Sequence, residues 1–191
     1  MAWREPMVLS ELRERLKDGG RFVEVGSNIG FYTVIAGQIT GSSGAVMAVG
    51  MMPQTMRILR HNIALNRLRN VKSVEAVLGG NVRAELEVSY DPQLAGQATA
   101  AQKPHGEKSV SAKKLTSNLD SHVDFDMIDL IKIDVEGAEV EVLNGAHETI
   151  KNTSAVIFSA TGDINPISKF LTEKGFSVRH LENNDYIAER I

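Results

Sequence analysis

Cysteine is absent from the chain, which excludes disulfides, thiolate metal sites and cysteine nucleophiles. No apolar run approaches the roughly 20 residues that a membrane span needs. The first twenty residues carry Arg4, Glu5, Glu11, Arg13, Glu14, Arg15 and Lys17, a density of charge that a signal-peptide core does not tolerate. The expected location is therefore the cytoplasm, with no membrane partner. Acidic residues are missing from the whole interval between Glu24 and Glu75, where Arg57, Arg60, Arg67, Arg69 and Lys72 all fall. The net charge of −3 conceals this gap. What remains is 191 residues with 42% hydrophobic content, enough for a sizeable core in one domain spanning residues 1–191.

Leu9, Leu12 and Leu16 recur at helical spacing among charges, with Ser10 as a cap and Asp18-Gly19-Gly20 as a stop, and predict an amphipathic helix within residues 1–20. Phe22 to Val25 reads as a short buried strand, Ile29 to Ile39 as a helix and Ala45 to Val49 as a second strand. A helix then runs from about Pro53, a good first-turn residue, to about Asn66. Val71 to Leu78 predicts a third strand. The alternation in "RAELEVSY" (Arg83 to Tyr90) predicts a half-exposed edge strand. Asp91 to Ala112 has no period and reads as a mobile loop, long enough to act as a lid. "IDLIKIDV" returns as a strand, "AEVEVLNGAHETI" as a helix breaking at Gly145, and "SAVIFSA" as a strand. A helix from about Asn165 to Lys174 precedes a final β-hairpin turning at Asn183-Asn184-Asp185. Alternating strands and helices of this kind imply a doubly wound α/β fold, with a mainly parallel sheet and an antiparallel addition from the C-terminal hairpin. Ligands of such sheets collect at the carboxyl ends of the strands, near the point where strand order reverses.

The first strand ends there, in "VEVGSNIGFYTV". Gly26 and Gly30 remove two Cβ atoms between a strand and a helix, so a ligand can approach the backbone and the helix's unpaired N–H groups. A corner that only needs compact residues is the alternative. A dinucleotide fingerprint does not fit, because Asn28 and Phe31 stand where G-x-G-x-x-G needs glycine. With Glu24, the pattern acid-x-Gly-x-x-x-Gly resembles the first motif of class I S-adenosylmethionine-dependent methyltransferases. "HNIALNRLRNV" and "IDLIKIDVEGAEVEVLNGA" further resemble the FkbM family of methyltransferases, whose members share a G-x-N-x-G loop, an N-I-x-L-N helix and a K-I-D-V-E-G-x-E segment. The resemblance extends over about Phe22 to Phe158.

That resemblance implies a seven-stranded, Rossmann-like sheet of the class I methyltransferase type, S-adenosylmethionine as cofactor, and methylation of a hydroxyl on a sugar, polyketide or similar small metabolite. It implies that Gly26, Ser27, Asn28 and Gly30 meet the cofactor's amino-acid end and that Glu24 shapes the loop or meets the ammonium. Asp134 and Glu136 would orient the acceptor or take its proton; a helix cap and first-turn acid is their structural alternative. Lys132 shares a strand face with Asp134 and needs an acidic partner if buried.

Two positions depart from the family pattern. Gly50, followed by Met51 and Met52, stands where an acid commonly binds the cofactor's ribose, which implies weakened binding there. Ser159-Ala160 stand where relatives would carry an acid after a later strand. Met51 and Met52 suit an adenine or ribose surface as well as the core. Arg57, Arg60 and His61 share a helix face that fits solvent, or alternatively RNA phosphates. An RNA methyltransferase and a non-catalytic module of the same fold are therefore the competing readings. The five histidines show no ligand spacing, and none is assigned to a metal.

Overall fold

A computed structural model describes residues 5–80, 82–90, 98, 99 and 110–191. In chain order its elements are α1 (Pro6–Arg15), β1 (Arg21–Val25), α2 (Phe31–Thr40), β2 (Ala45–Gly50), α3 (Pro53–Leu65), β3 (Val71–Glu75), β4 (Val77–Leu78), β5 (Glu85–Tyr90), β6 (Ala98–Thr99) and β7 (Val110–Ser117). They continue with β8 (Ile128–Ile133), α4 (Glu139–Asn144), α5 (His147–Lys151), β9 (Thr153–Ser159), α6 (Asn165–Glu173), β10 (Phe176–Glu182) and β11 (Asp185–Arg190). Seven strands form the main sheet in the order β10-β11-β9-β8-β1-β2-β3. β9, β8, β1, β2 and β3 run parallel, whereas β11 is antiparallel to both its neighbours. This is the expected seven-stranded, mainly parallel sheet with an antiparallel C-terminal hairpin.

Each central strand alternates its side chains between two cores, because helices cover both faces. Val23, Val25, Met47, Val49, Ile131 and Ile133 pack with Val142 and Leu143 of α4 and Ile167 and Leu171 of α6. On the opposite face Phe22, Val46 and Leu130 meet Leu9 and Leu12 of α1 and Tyr32 and Ala36 of α2. Ala48 meets Met56 and Leu59 of α3 on that second face. Glu24 and Lys132 continue the second face by parity, so two charged side chains enter an otherwise apolar layer. The chain passes from β1 to β2 on one side and returns through β8 on the other, and Val25 is level with both Val49 and Ile133. The reversal of strand order thus falls at the carboxyl end of β1.

Four expectations need correction. Ser10 lies inside α1, which starts at Pro6; the Glu182 carboxylate accepts from Met7 N at 2.6 Å and Val8 N at 3.1 Å instead. The strand expected over Val71 to Leu78 divides at Ala76: Ala76 N makes the last rung to β2 by donating to Gly50 O, and Val77 and Leu78 beyond it pair with β7. The edge strand read in Arg83 to Tyr90 starts at Glu85 and lies between β7 and β6 in a second sheet of order β4-β7-β5-β6. Within the loop expected over Asp91 to Ala112, β6 and the first residues of β7 are strand. The rest of that stretch lies outside the described residues. The expected break at Gly145 is present between α4 and α5, where a Cβ would lie 2.5 Å from Gly79 O. Among the described residues no helix is long and apolar enough to cross a membrane.

Candidate functional site

The loop leaving β1 is built by left-handed backbone. Gly26 (φ +88°), Asn28 (φ +47°) and Gly30 (φ +89°) turn the chain within five residues; asparagine is among the few side chains that accept this region. Gly26 N and Ser27 N both donate to Val49 O, at 2.9 and 3.0 Å. A Cβ on Gly26 would lie 1.8 Å from Asp134 O, so the loop and the end of β8 touch backbone to backbone. A Cβ on Gly30 would instead meet Leu59 Cδ1 at 2.2 Å. Gly30 therefore serves the packing of α3.

At the end of β8, Lys132 Nζ lies 2.9 Å from Asp134 Oδ2 and 4.9 Å from the centroid of the Tyr32 ring. Lys132 is 2% exposed, whereas the Asp134 side chain is 40% exposed. Burial pulls the Lys132 ammonium down, but the charge and hydrogen bond of Asp134, with Glu24 and Glu5 beyond, carry it above its ordinary value. Glu136 adopts φ +52°, an unfavourable region for a side chain of its kind, and Gly137 follows at φ +104°. Burial, then the charges of Asp134 and Glu139, push the Glu136 carboxyl up. The turn is held by Glu139, whose Oε1 accepts from Val135 N at 3.3 Å and Gly137 N at 3.1 Å. Sequence reading gave Glu139 no role. An acid in the first turn after "VEG" was the available signal, since such an acid reaches back to loop amides.

Between these ends lies a crevice with about 160 Å³ open to the centres of water-sized molecules, some ten times what one water needs. One wall is Asp134, Val135, Glu136, Ala138 and Val142; the floor is Val25, Gly26 and Asn28. The facing wall is Val49, Gly50, Met51, Met52, Thr55, Ala76, Val77 and Leu78. Of the residues expected to bind cofactor, Gly26, Asn28, Gly50 and Met51 line the crevice with both expected carboxylates. Glu24, Ser27 and Gly30 stand behind it. Glu24 is buried and accepts from the Thr33 hydroxyl; burial pushes its carboxyl up to about 7 against the opposing pull of Thr33 and Lys132. Ser27 is 2% exposed, and its hydroxyl is the buried side-chain polar atom left without a partner among the described residues.

The β2 end has no carboxylate. A Cβ on Gly50 would lie 2.7 Å from Met56 Sδ and 3.3 Å from Ser27 Oγ, so Met56 fills the space through which an acidic side chain would leave the backbone. An acid from another strand lies beside Ser159. β11 sets Asp185 opposite Ser159, whose hydroxyl donates to it. No local signal pairs these residues, 26 positions apart.

The family model for the Methyltransferase FkbM domain matches residues 24–184. Methyltransferase 1 of Beauveria bassiana is 27% identical over 185 residues, covering 84% of this chain and 74% of that protein. Among solved structures, precorrin-6y C5,15-methyltransferase from Geobacter metallireducens superposes with a TM-score of 0.60 at 16% identity, covering all of this chain and 90% of the other. A Streptococcus mutans chain solved in complex with SAH (S-adenosylhomocysteine) superposes with a TM-score of 0.62 at 12% identity over the full length of both.

Proposed function

Because the chain belongs to the FkbM methyltransferase family, we propose that it uses S-adenosylmethionine to methylate a hydroxyl group on a small metabolite of the sugar or polyketide class. The observation that carries this reading is one crevice in which the bare backbone of Gly26, a thioether-lined wall and the carboxylates of Asp134 and Glu136 face one another. A ligand with a flat apolar ring at one end and a cation at the other fits those two walls. The β1 loop, with its small residues and left-handed turns, fits the close approach of such a ligand. When bound, S-adenosylmethionine supplies a sulfonium-activated methyl group.

The remaining chemistry belongs to the chain. Lys132 fixes the orientation of Asp134 from a buried position, so Asp134 meets the acceptor in one rotamer. Glu136, whose carboxyl is raised by burial and by Asp134, is a stronger proton acceptor than an ordinary surface glutamate and takes the hydroxyl proton. Glu139 holds the turn that aims it. Glu24 and Gly30 act from behind: one braces the start of α2 through Thr33, the other admits Leu59.

Titration calorimetry with S-adenosylmethionine and S-adenosylhomocysteine tests the reading; absence of binding at millimolar ligand overturns it and favours a non-catalytic module. Transfer of a radiolabelled methyl group is then screened against small hydroxyl compounds and bulk RNA. Labelling of RNA would overturn the small-molecule acceptor and draw attention to Arg57, Arg60 and His61 on α3. With an acceptor in hand, Glu136→Gln is expected to lower kcat by about 10²–10⁴-fold while S-adenosylhomocysteine affinity changes little.

A further inference from the structure

At the β2 end of the crevice four successive carbonyl oxygens each accept a hydrogen bond from within the protein. Val49 O accepts from Gly26 N and Ser27 N, Gly50 O from Ala76 N at 3.0 Å, and Met52 O from Met56 N at 2.9 Å and Thr55 Oγ1 at 3.1 Å. Met51 O accepts from Lys114 Nζ, which reaches over from β7 and also lies 3.5 Å from Glu75. Glu75 is level with Gly50 on β3, yet it does not line the crevice, and its other oxygen faces Arg60 at 3.7 Å. The side chains on this wall are aliphatic or thioether apart from Thr55, whose hydroxyl proton is donated to Met52 O. Among the described residues the Ser27 hydroxyl has no partner, but it is buried and absent from the lining, beside the volume that Met56 Sδ takes.

From this wall we infer that the site binds its nucleoside by apolar contact and does not read the two ribose hydroxyls, so the chain accepts deoxyribose forms of the cofactor as readily as the ribose form. Gly50, Met51 and Met56 are the residues that set this tolerance. The inference rests on the proposed use of S-adenosylmethionine. A carboxylate holding the diol would impose discrimination, because a hydrogen bond to a charged group is worth roughly 10- to 150-fold in affinity. A thioether surface imposes none and adapts to whatever sugar lies on it.

The test is calorimetric and needs no acceptor: the dissociation constant of S-adenosylhomocysteine is compared with those of its 2′-deoxy and 3′-deoxy analogues on the intact chain. Both analogues are expected to bind less than fivefold more weakly than the parent. A loss of fivefold or more with either analogue, while the parent binds, overturns the inference and leaves the proposed function standing. Failure of the parent itself to bind overturns the proposed function and this inference with it. Gly50→Asp combined with Met56→Ala, which clears the blocked volume, is expected to create discrimination of about tenfold or more against the deoxy analogues. Discrimination that stays below fivefold in a variant shown to be folded overturns the assignment to residues 50 and 56.

Discussion

Glu24 shows how far a single residue's role depends on what lies behind it. In the sequence it is the acid of a cofactor motif. In the structure it is a buried carboxyl braced by Thr33, near Lys132 and Asp134, and raised to about 7 from an ordinary 4.5. The folded protein keeps this proton between those two values whereas the unfolded chain releases it. The stability that neutral Glu24 contributes is therefore complete below pH 4.5 and is lost as the pH rises through about 7, by about 3 kcal/mol at full deprotonation. Glu24→Gln retains an acceptor for Thr33 and removes the titration. Thermal denaturation of the two proteins at pH 5 and pH 8 is expected to show Tm falling between those values by about 5–10 °C more in the parent chain than in the variant. An equal fall in both would mean that Glu24 is ionised throughout. Lys132 was the more legible case: a lysine in an apolar strand must find an acid, and Asp134 is the next position on its face.

Among the elements, the turn between β8 and α4 carries most of the site and least of the secondary structure. Two successive left-handed residues, Glu136 and Gly137, survive there because Glu139 accepts from the amides of Val135 and of Gly137 itself. Glu139→Ala leaves those N–H groups unpaired and is expected to cost about 1–3 kcal/mol. Hydrogen exchange should register faster opening of the Val135 and Gly137 amides, with the β1 loop unaffected. Unchanged protection at those two amides would assign the turn's rigidity to Gly137 alone. Strands such as β1, β2 and β8 could be read from their continuous apolar runs because they are covered on both faces. The fates of β4 and β5 could not, since alternation in "RAELEVSY" fixes which side chains share a face but says nothing about which sheet the strand joins.

For the molecule as a whole, the central parallel sheet was legible from the order of apolar runs and helical periods. Long-range closures were not. The C-terminal hairpin brings Asp185 to Ser159 and Glu182 to the start of α1, contacts separated by 26 and about 175 residues. α1 lays Leu9 and Leu12 over the core beneath Phe22 and Leu130, so its anchorage bears on the face that also holds Lys132. Glu182→Ala is expected to lower stability by about 1–2 kcal/mol, as the loss of other helix caps does. Limited proteolysis should then cut first within α1; cleavage beginning elsewhere would show that apolar packing alone retains it.

The overlap between Met56 Sδ and the point where residue 50 would carry a Cβ makes the two positions epistatic. A side chain added at residue 50 requires the Met56 thioether to move aside, while shrinking residue 56 alone opens a void beneath Ala48 and Leu59. Substitutions at residues 50 and 56 are therefore expected to be non-additive in stability, because each changes the volume the other occupies.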